Sequence, residues 1–118
     1  MSKRILIVDD AAFMRLQLKE AFVRCGAEVV GEAAGGAECI EQYGALHPDL
    51  VTLDITMPDM DGITALKQLK AKYPEAKVVM CSAMGHHEKL IASIQAGAMD
   101  FIVKPFKMEK IESIIRSV

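Results

Sequence analysis

The sequence lacks an excess of charge of either sign. Fourteen Lys and Arg stand against 16 Asp and Glu, for a formal net charge of -2. That balance gives neither the basic footprint of a nucleic-acid binder nor an attraction to anionic membranes. Cysteines are few and odd in number: Cys25, Cys39 and Cys81. Their wide spacing fits neither a disulfide framework nor a zinc site, and Cys25 and Cys81 lie in apolar runs that read as buried, reduced thiols. No apolar run approaches the length of a membrane span. The run over residues 5–8 follows two basic residues, but it is too short for a signal peptide and is ended by Asp9 and Asp10. A cytoplasmic location is therefore expected. No linker, repeat or low-complexity segment interrupts the chain. Its 118 residues suffice for one domain and not two, so a single domain over 1–118 is expected, with a monomer as the simplest state.

What the chain does contain is an alternation of short β-branched runs and amphipathic stretches. RILIV, before the acid pair, reads as a strand buried on both faces. Asp10 falls at the expected N-cap of a helix over 12–25, with Met14, Leu18, Ala21, Phe22 and Cys25 at helical spacing and Gly26 as its stop. A weaker strand over 28–33 is broken by Gly35-Gly36, and a helix over 37–46 ends before Pro48. Residues 49–54 form a third buried strand, and a loop with Pro58 and Gly62 leads to a helix over 63–73. Strand four covers 77–82, a helix covers 88–96, and strand five is centred on 101–103. After Lys104-Pro105, Ile111, Ile114, Ile115 and Val118 mark a last helix. Five such units predict an α/β fold: one doubly wound, five-stranded parallel sheet with helices on both faces and right-handed crossovers.

Sites in such sheets lie beyond the carboxyl ends of the strands. Four of those ends carry chemistry: Asp9-Asp10, Asp54, Ser82 and Lys104. Crowded carboxylates repel, and burial raises the cost of their charge. An oxygen-only donor set suits Mg²⁺, which takes one or two carboxylates and keeps waters and a phosphate oxygen. A carboxylate beside such a cation and a lysine is set up as a nucleophile towards phosphorus. Asp54, ending a central strand, is the expected acceptor; Asp9 and Asp10 are expected to hold the metal, with Asp10 the more direct ligand. Ser82 can donate to a phosphoryl oxygen. Asp59 and Asp61 read as structural, Asp61 as a helix cap. His86-His87 reads as a solvated helix start, since adjacent helical residues do not share a face.

Together the segments DD (9–10), D (54) with MPDMDG (57–62), SA (82–83) and KPF (104–106) closely resemble the receiver domain of two-component response regulators, across the whole chain. With no output segment attached, the likeness is greatest to stand-alone chemotaxis regulators of the CheY type. The resemblance implies a flavodoxin-like (βα)5 fold with strand order 2-1-3-4-5. It implies phosphorylation of Asp54, and Mg²⁺ held by Asp10, Asp54 and the backbone carbonyl of Thr56, with Asp9 in support. It also implies contacts of Ser82 and Lys104 with the phosphoryl group, a cis Lys104-Pro105 bond, and Gly62 as a structural residue of the loop. The switching position on strand five is Phe101, where relatives often carry tyrosine, and Met84 stands where many have a polar residue that tunes phosphoryl lifetime. The implied donor is a CheA-like sensor histidine kinase. The implied target is a flagellar motor switch protein, or a phosphatase, bound through residues 88–118. A receiver in another phosphorelay, or one that drains phosphate, would read the same.

Two other classes are weaker. Phosphohydrolases of the haloacid-dehalogenase type place a DxD nucleophile early and their acid pair late, whereas Asp54 is followed by Ile55 and Thr56. A flavin-binding module prefers a phosphate-cradling loop after strand one, and an acid pair is a poor anion site.

Overall fold

The computed structural model describes residues 2–118. Five strands, β1 (Arg4–Val8), β2 (Glu28–Ala33), β3 (Leu50–Asp54), β4 (Val78–Ala83) and β5 (Asp100–Lys104), alternate with five helices. These are α1 (Ala12–Arg24), α2 (Gly36–Leu46), α3 (Gly62–Lys72), α4 (His87–Gln95) and α5 (Met108–Ser117). All strand pairs are parallel and the order is β2-β1-β3-β4-β5, the doubly wound sheet expected from the alternation.

Strands β1, β3 and β4 are almost continuously apolar because both of their faces are covered. Successive side chains of β1 divide between two cores. Leu6 and Val8 pack with Cys39 and Tyr43 of α2, Leu66 and Leu69 of α3 and Leu90 of α4. Ile5 and Ile7 pack with Leu18 and Phe22 of α1 and Ile111 and Ile114 of α5. Among the described residues, no helix is long and apolar enough to cross a membrane.

Two local expectations are corrected. Asp10 is not the cap of α1: Ala11 occupies the N-cap and makes no side-chain cap bond. Asp9 meets the Ala11 amide instead, its Oδ1 accepting at 2.9 Å, which leaves Asp10 exposed. Cys25 is half-buried, while Cys39 and Cys81 are buried; as the C-cap of α1 it sits on the rim of the core. Asp61 caps α3 as expected, accepting from the Thr64 amide at 2.8 Å.

Candidate functional site

The parallel sheet places the carboxyl ends of β1, β3, β4 and β5 along one edge. In register, Asp54 pairs with Cys81 and Cys81 with Ile102, so Lys104, paired with Ala83, stands two residues beyond the level of Asp54 and meets it through its long side chain. Asp9 is 1% exposed and Asp54 7%, while Asp10 is exposed. One carboxylate oxygen from each of the three lies within 4.8 Å of the others. Lys104 reaches in from β5, its Nζ 2.9 Å from Asp9 Oδ2 and 3.5 Å from Asp54 Oδ1.

The electrostatics follow from that packing. Burial pushes the Asp54 carboxyl above the usual carboxylate value, and Asp9 and Asp10 push it further. Lys104 and a hydrogen bond from the Thr56 backbone amide oppose them without prevailing. Burial alone would lower the Lys104 ammonium, but the hydrogen bond to Asp9 and the charge of Asp54 outweigh it and raise the ammonium. One lysine thus serves two buried carboxylates, and the site carries surplus negative charge.

The donor set fits Mg²⁺. It consists of carboxylate oxygens from Asp9, Asp10 and Asp54, it is hard, and it has one exposed member through which waters can complete an octahedron. Neither His86 nor His87 belongs to this cluster. The Cys81 thiol beneath it is buried and pushed up to about 12, mainly by burial, so it is inert at neutral pH.

Ser82, Thr56 and Pro105 lie on the strand ends and loops that carry this cluster, and Gly62 opens α3. Ser82 is 1% exposed and its hydroxyl donates to the Ala83 carbonyl at 2.9 Å, so it must release that bond before meeting a new acceptor. Thr56 is exposed on the loop after β3. The Lys104-Pro105 bond is cis. Gly62 is packed against the end of β3. A Cβ there would lie 2.1 Å from the Asp54 carbonyl oxygen, and its amide donates to the Ile55 carbonyl at 2.6 Å.

Met84 and Phe101 are not at the acid cluster. They are 75% and 37% exposed and line a neighbouring apolar cavity of about 280 Å³ with Leu90, Ile91, Ile94 and Val103. Lys110 of α5 stands 5.3 Å from the Phe101 ring centroid and 2.9 Å from Asp100 Oδ1.

Arg15 is a site residue that sequence reasoning missed. Its Nη1 donates to the Asp9 carbonyl at 2.6 Å and its Nε pairs with Glu32 at 3.1 Å, tying the acid pair to β2. The available signal was a basic residue in the first turn after the acids.

Residues 5–116 match the response regulator receiver domain family. The chemotaxis protein CheY of Bacillus subtilis is 58% identical, over 94% of this chain and 92% of its own. That of Thermotoga maritima is 52% identical, over 100% and 98%. A chain in the crystal structure of a CheX–CheY–BeF3–Mg²⁺ complex from Borrelia burgdorferi superposes with a TM-score of 0.91 at 38% identity, covering 98% of this chain and 87% of that one. This chain belongs to the response regulator receiver domain family.

Proposed function

We propose that residues 1–118 form one receiver unit that takes a phosphoryl group from a CheA-like histidine kinase onto Asp54. The phosphorylated protein acts as a cytoplasmic, monomeric switch in chemotaxis. The observation that carries this reading is the convergence of three carboxylates and Lys104 at one sheet edge. The CheY relatives add the chemotaxis context.

An Asp54 carboxylate oxygen attacks phosphorus as the bond from phosphorus to the donor's imidazole nitrogen breaks, and the imidazole keeps the electron pair. Asp54 suits this role because it ends a buried strand and its carboxylate is oriented by the Thr56 amide. Mg²⁺ bound by Asp9, Asp10, Asp54 and the Thr56 carbonyl would neutralise charge on the transferring group. Lys104, already at both buried carboxylates, shifts its bond to a phosphoryl oxygen. Ser82 exchanges the Ala83 carbonyl for another phosphoryl oxygen. The positions of Thr56 and Met84, as the family likeness implies, tune how long the phosphoryl group survives.

Phosphorylation adds roughly -1.5 to -2 charges. Movement of Ser82 and residues 83–87 opens room for Phe101 to turn into the adjacent apolar cavity. This biases a pre-existing equilibrium and reshapes the surface of residues 88–118, where a flagellar motor switch protein or phosphatase binds. The test is to add Mg²⁺ and beryllofluoride and follow backbone amide signals. Residues 83–87 and 101 should shift in the wild type and stay still in Asp54→Asn. Signals confined to the acid cluster would exclude the switch.

A further inference from the structure

Helix α2 starts without a cap of its own. Its N-cap residue is Gly35, which offers no side chain. The free amides are met from elsewhere in the chain: Asp59 accepts from Gly36 at 3.1 Å through Oδ1 and from Ala37 at 3.1 Å through Oδ2. Asp59 Oδ1 also accepts from the Met60 amide at 3.0 Å. A carboxylate at a helix N-terminus is favoured by the exposed amides and the helix dipole. These bonds, Ala37 first and then Gly36, hold its pKa below the ordinary value.

The fit is close enough to demand glycine. A Cβ on Gly35 would sit 2.7 Å from Asp59 Oδ1, and one on Gly36 would sit 2.6 Å from Met60 Cγ. Gly35 is extended at φ -160, so the requirement is space and not backbone strain. Gly35-Gly36 is therefore a seat for the turn Asp59-Met60.

That turn belongs to the segment that leaves Asp54. The segment is held at four other places. Met57 is buried and Met60 packs against the core, the Gly62 amide bonds the Ile55 carbonyl, and Asp61 caps α3. Between Asp54 and Asp59 lies Thr56, whose amide lies near enough to the Asp54 carboxylate to favour its charged form.

We propose that Asp59 is a positioning residue for the phosphoacceptor: by clamping residues 55–60 onto the N-terminus of α2, it holds the Thr56 backbone against the Asp54 carboxylate and so sets the metal affinity of the site. The metal part of this inference rests on the reading of the acid cluster as a Mg²⁺ site. Partners one bond removed from a metal ligand typically change affinity by 10–100-fold. Asp59 acts through a longer loop, so Asp59→Ala should weaken Mg²⁺ binding by roughly three- to tenfold.

The control lies on the same helix. Glu38 Oε1 accepts from the Ala34 amide at 2.8 Å, so it also stabilises the start of α2 but does not touch the loop after β3. Calorimetric Mg²⁺ titrations and amide spectra of wild type, Asp59→Ala and Glu38→Ala, all well below their unfolding temperatures, separate positioning from plain stability. Asp59→Ala is expected to weaken Mg²⁺ binding and, without any metal, to move the Thr56 amide signal upfield and speed its exchange. Glu38→Ala should lower the unfolding temperature and leave both readouts at wild-type values. Wild-type Mg²⁺ affinity and an unmoved Thr56 amide in Asp59→Ala overturn the inference, as does an equal effect of Glu38→Ala. If the wild type takes no Mg²⁺, the metal reading fails, and the Thr56 amide still decides whether Asp59 holds the loop.

Discussion

Replacing Asp54 by Asn should stabilise the metal-free protein, although it removes the proposed acceptor. At an effective dielectric of about 20, Asp54 and Asp9 oxygens no more than 4.8 Å apart repel by at least about 3.5 kcal/mol. The exposed Asp10, at the dielectric of water, adds about 0.9 kcal/mol. Lys104 at 3.5 Å returns about 4.7 kcal/mol. These Coulomb terms nearly cancel. What remains is the desolvation of a carboxylate that is 7% exposed, several kcal/mol for a buried ion. The nearby Thr56 amide offsets part of it. A net stabilisation by Asn of about 1–2 kcal/mol follows, which for a chain of this size raises Tm by roughly 4–8 °C.

The pH dependence has a definite sign. The folded-state pKa of Asp54 lies above its ordinary 3.8, so the fold favours the protonated form. That benefit is complete below 3.8 and is lost as pH rises through the raised value. The gap between Asn variant and wild type should therefore open as the pH climbs from below 4 to neutrality. Mg²⁺ at ten times its dissociation constant stabilises the wild type by about 1.4 kcal/mol and narrows the gap. Thermal unfolding by circular dichroism, in low salt with EDTA or Mg²⁺, measures all three effects. An Asn variant no more stable than wild type at pH 7 in EDTA, or a gap unaffected by pH, would refute the reasoning.

Lys104→Met leaves two buried carboxylates without their cation and should lower stability by about 2–4 kcal/mol at neutral pH. Urea unfolding should show much of that loss recovered near pH 4, where a carboxyl can take a proton. Gly62→Ala drives a Cβ into the Asp54 carbonyl and should cost about 3 kcal/mol, read as a lower urea midpoint. Lys110→Met removes a cation held over the Phe101 ring, worth about 0.5–1 kcal/mol at an exposed site. The outward Phe101 population should fall by roughly two- to fivefold, visible in ring NOEs to Leu90 and Ile94, while Lys110→Arg retains it.

The fold was legible because each strand's apolar run and each helix's stop residue agree. Val8, Leu53 and Cys81 end or nearly end buried runs, and Gly26, Pro48, Pro74 and Gly97 separate the elements. The acid cluster was legible for the same reason, since parallel strands must bring their carboxyl ends to one edge. What escaped depended on side-chain reach across the fold. Asp59 caps a helix 22 residues earlier in the chain, which no local pattern announces, and Arg15 bonds a backbone carbonyl, which its place in the first turn after the acids only hints at. The cap of α1 was misplaced because Asp9 and Asp10 are both chemically suitable, and only the geometry shows Asp9 turned to the Ala11 amide.

The central claim is tested most directly by intact mass after incubation with acetyl phosphate, with and without Mg²⁺, for wild type and Asp54→Asn. The account predicts a single phosphoryl adduct on the wild type that requires Mg²⁺ and is absent from the variant. No adduct on the wild type, or an equal adduct on Asp54→Asn, would contradict it.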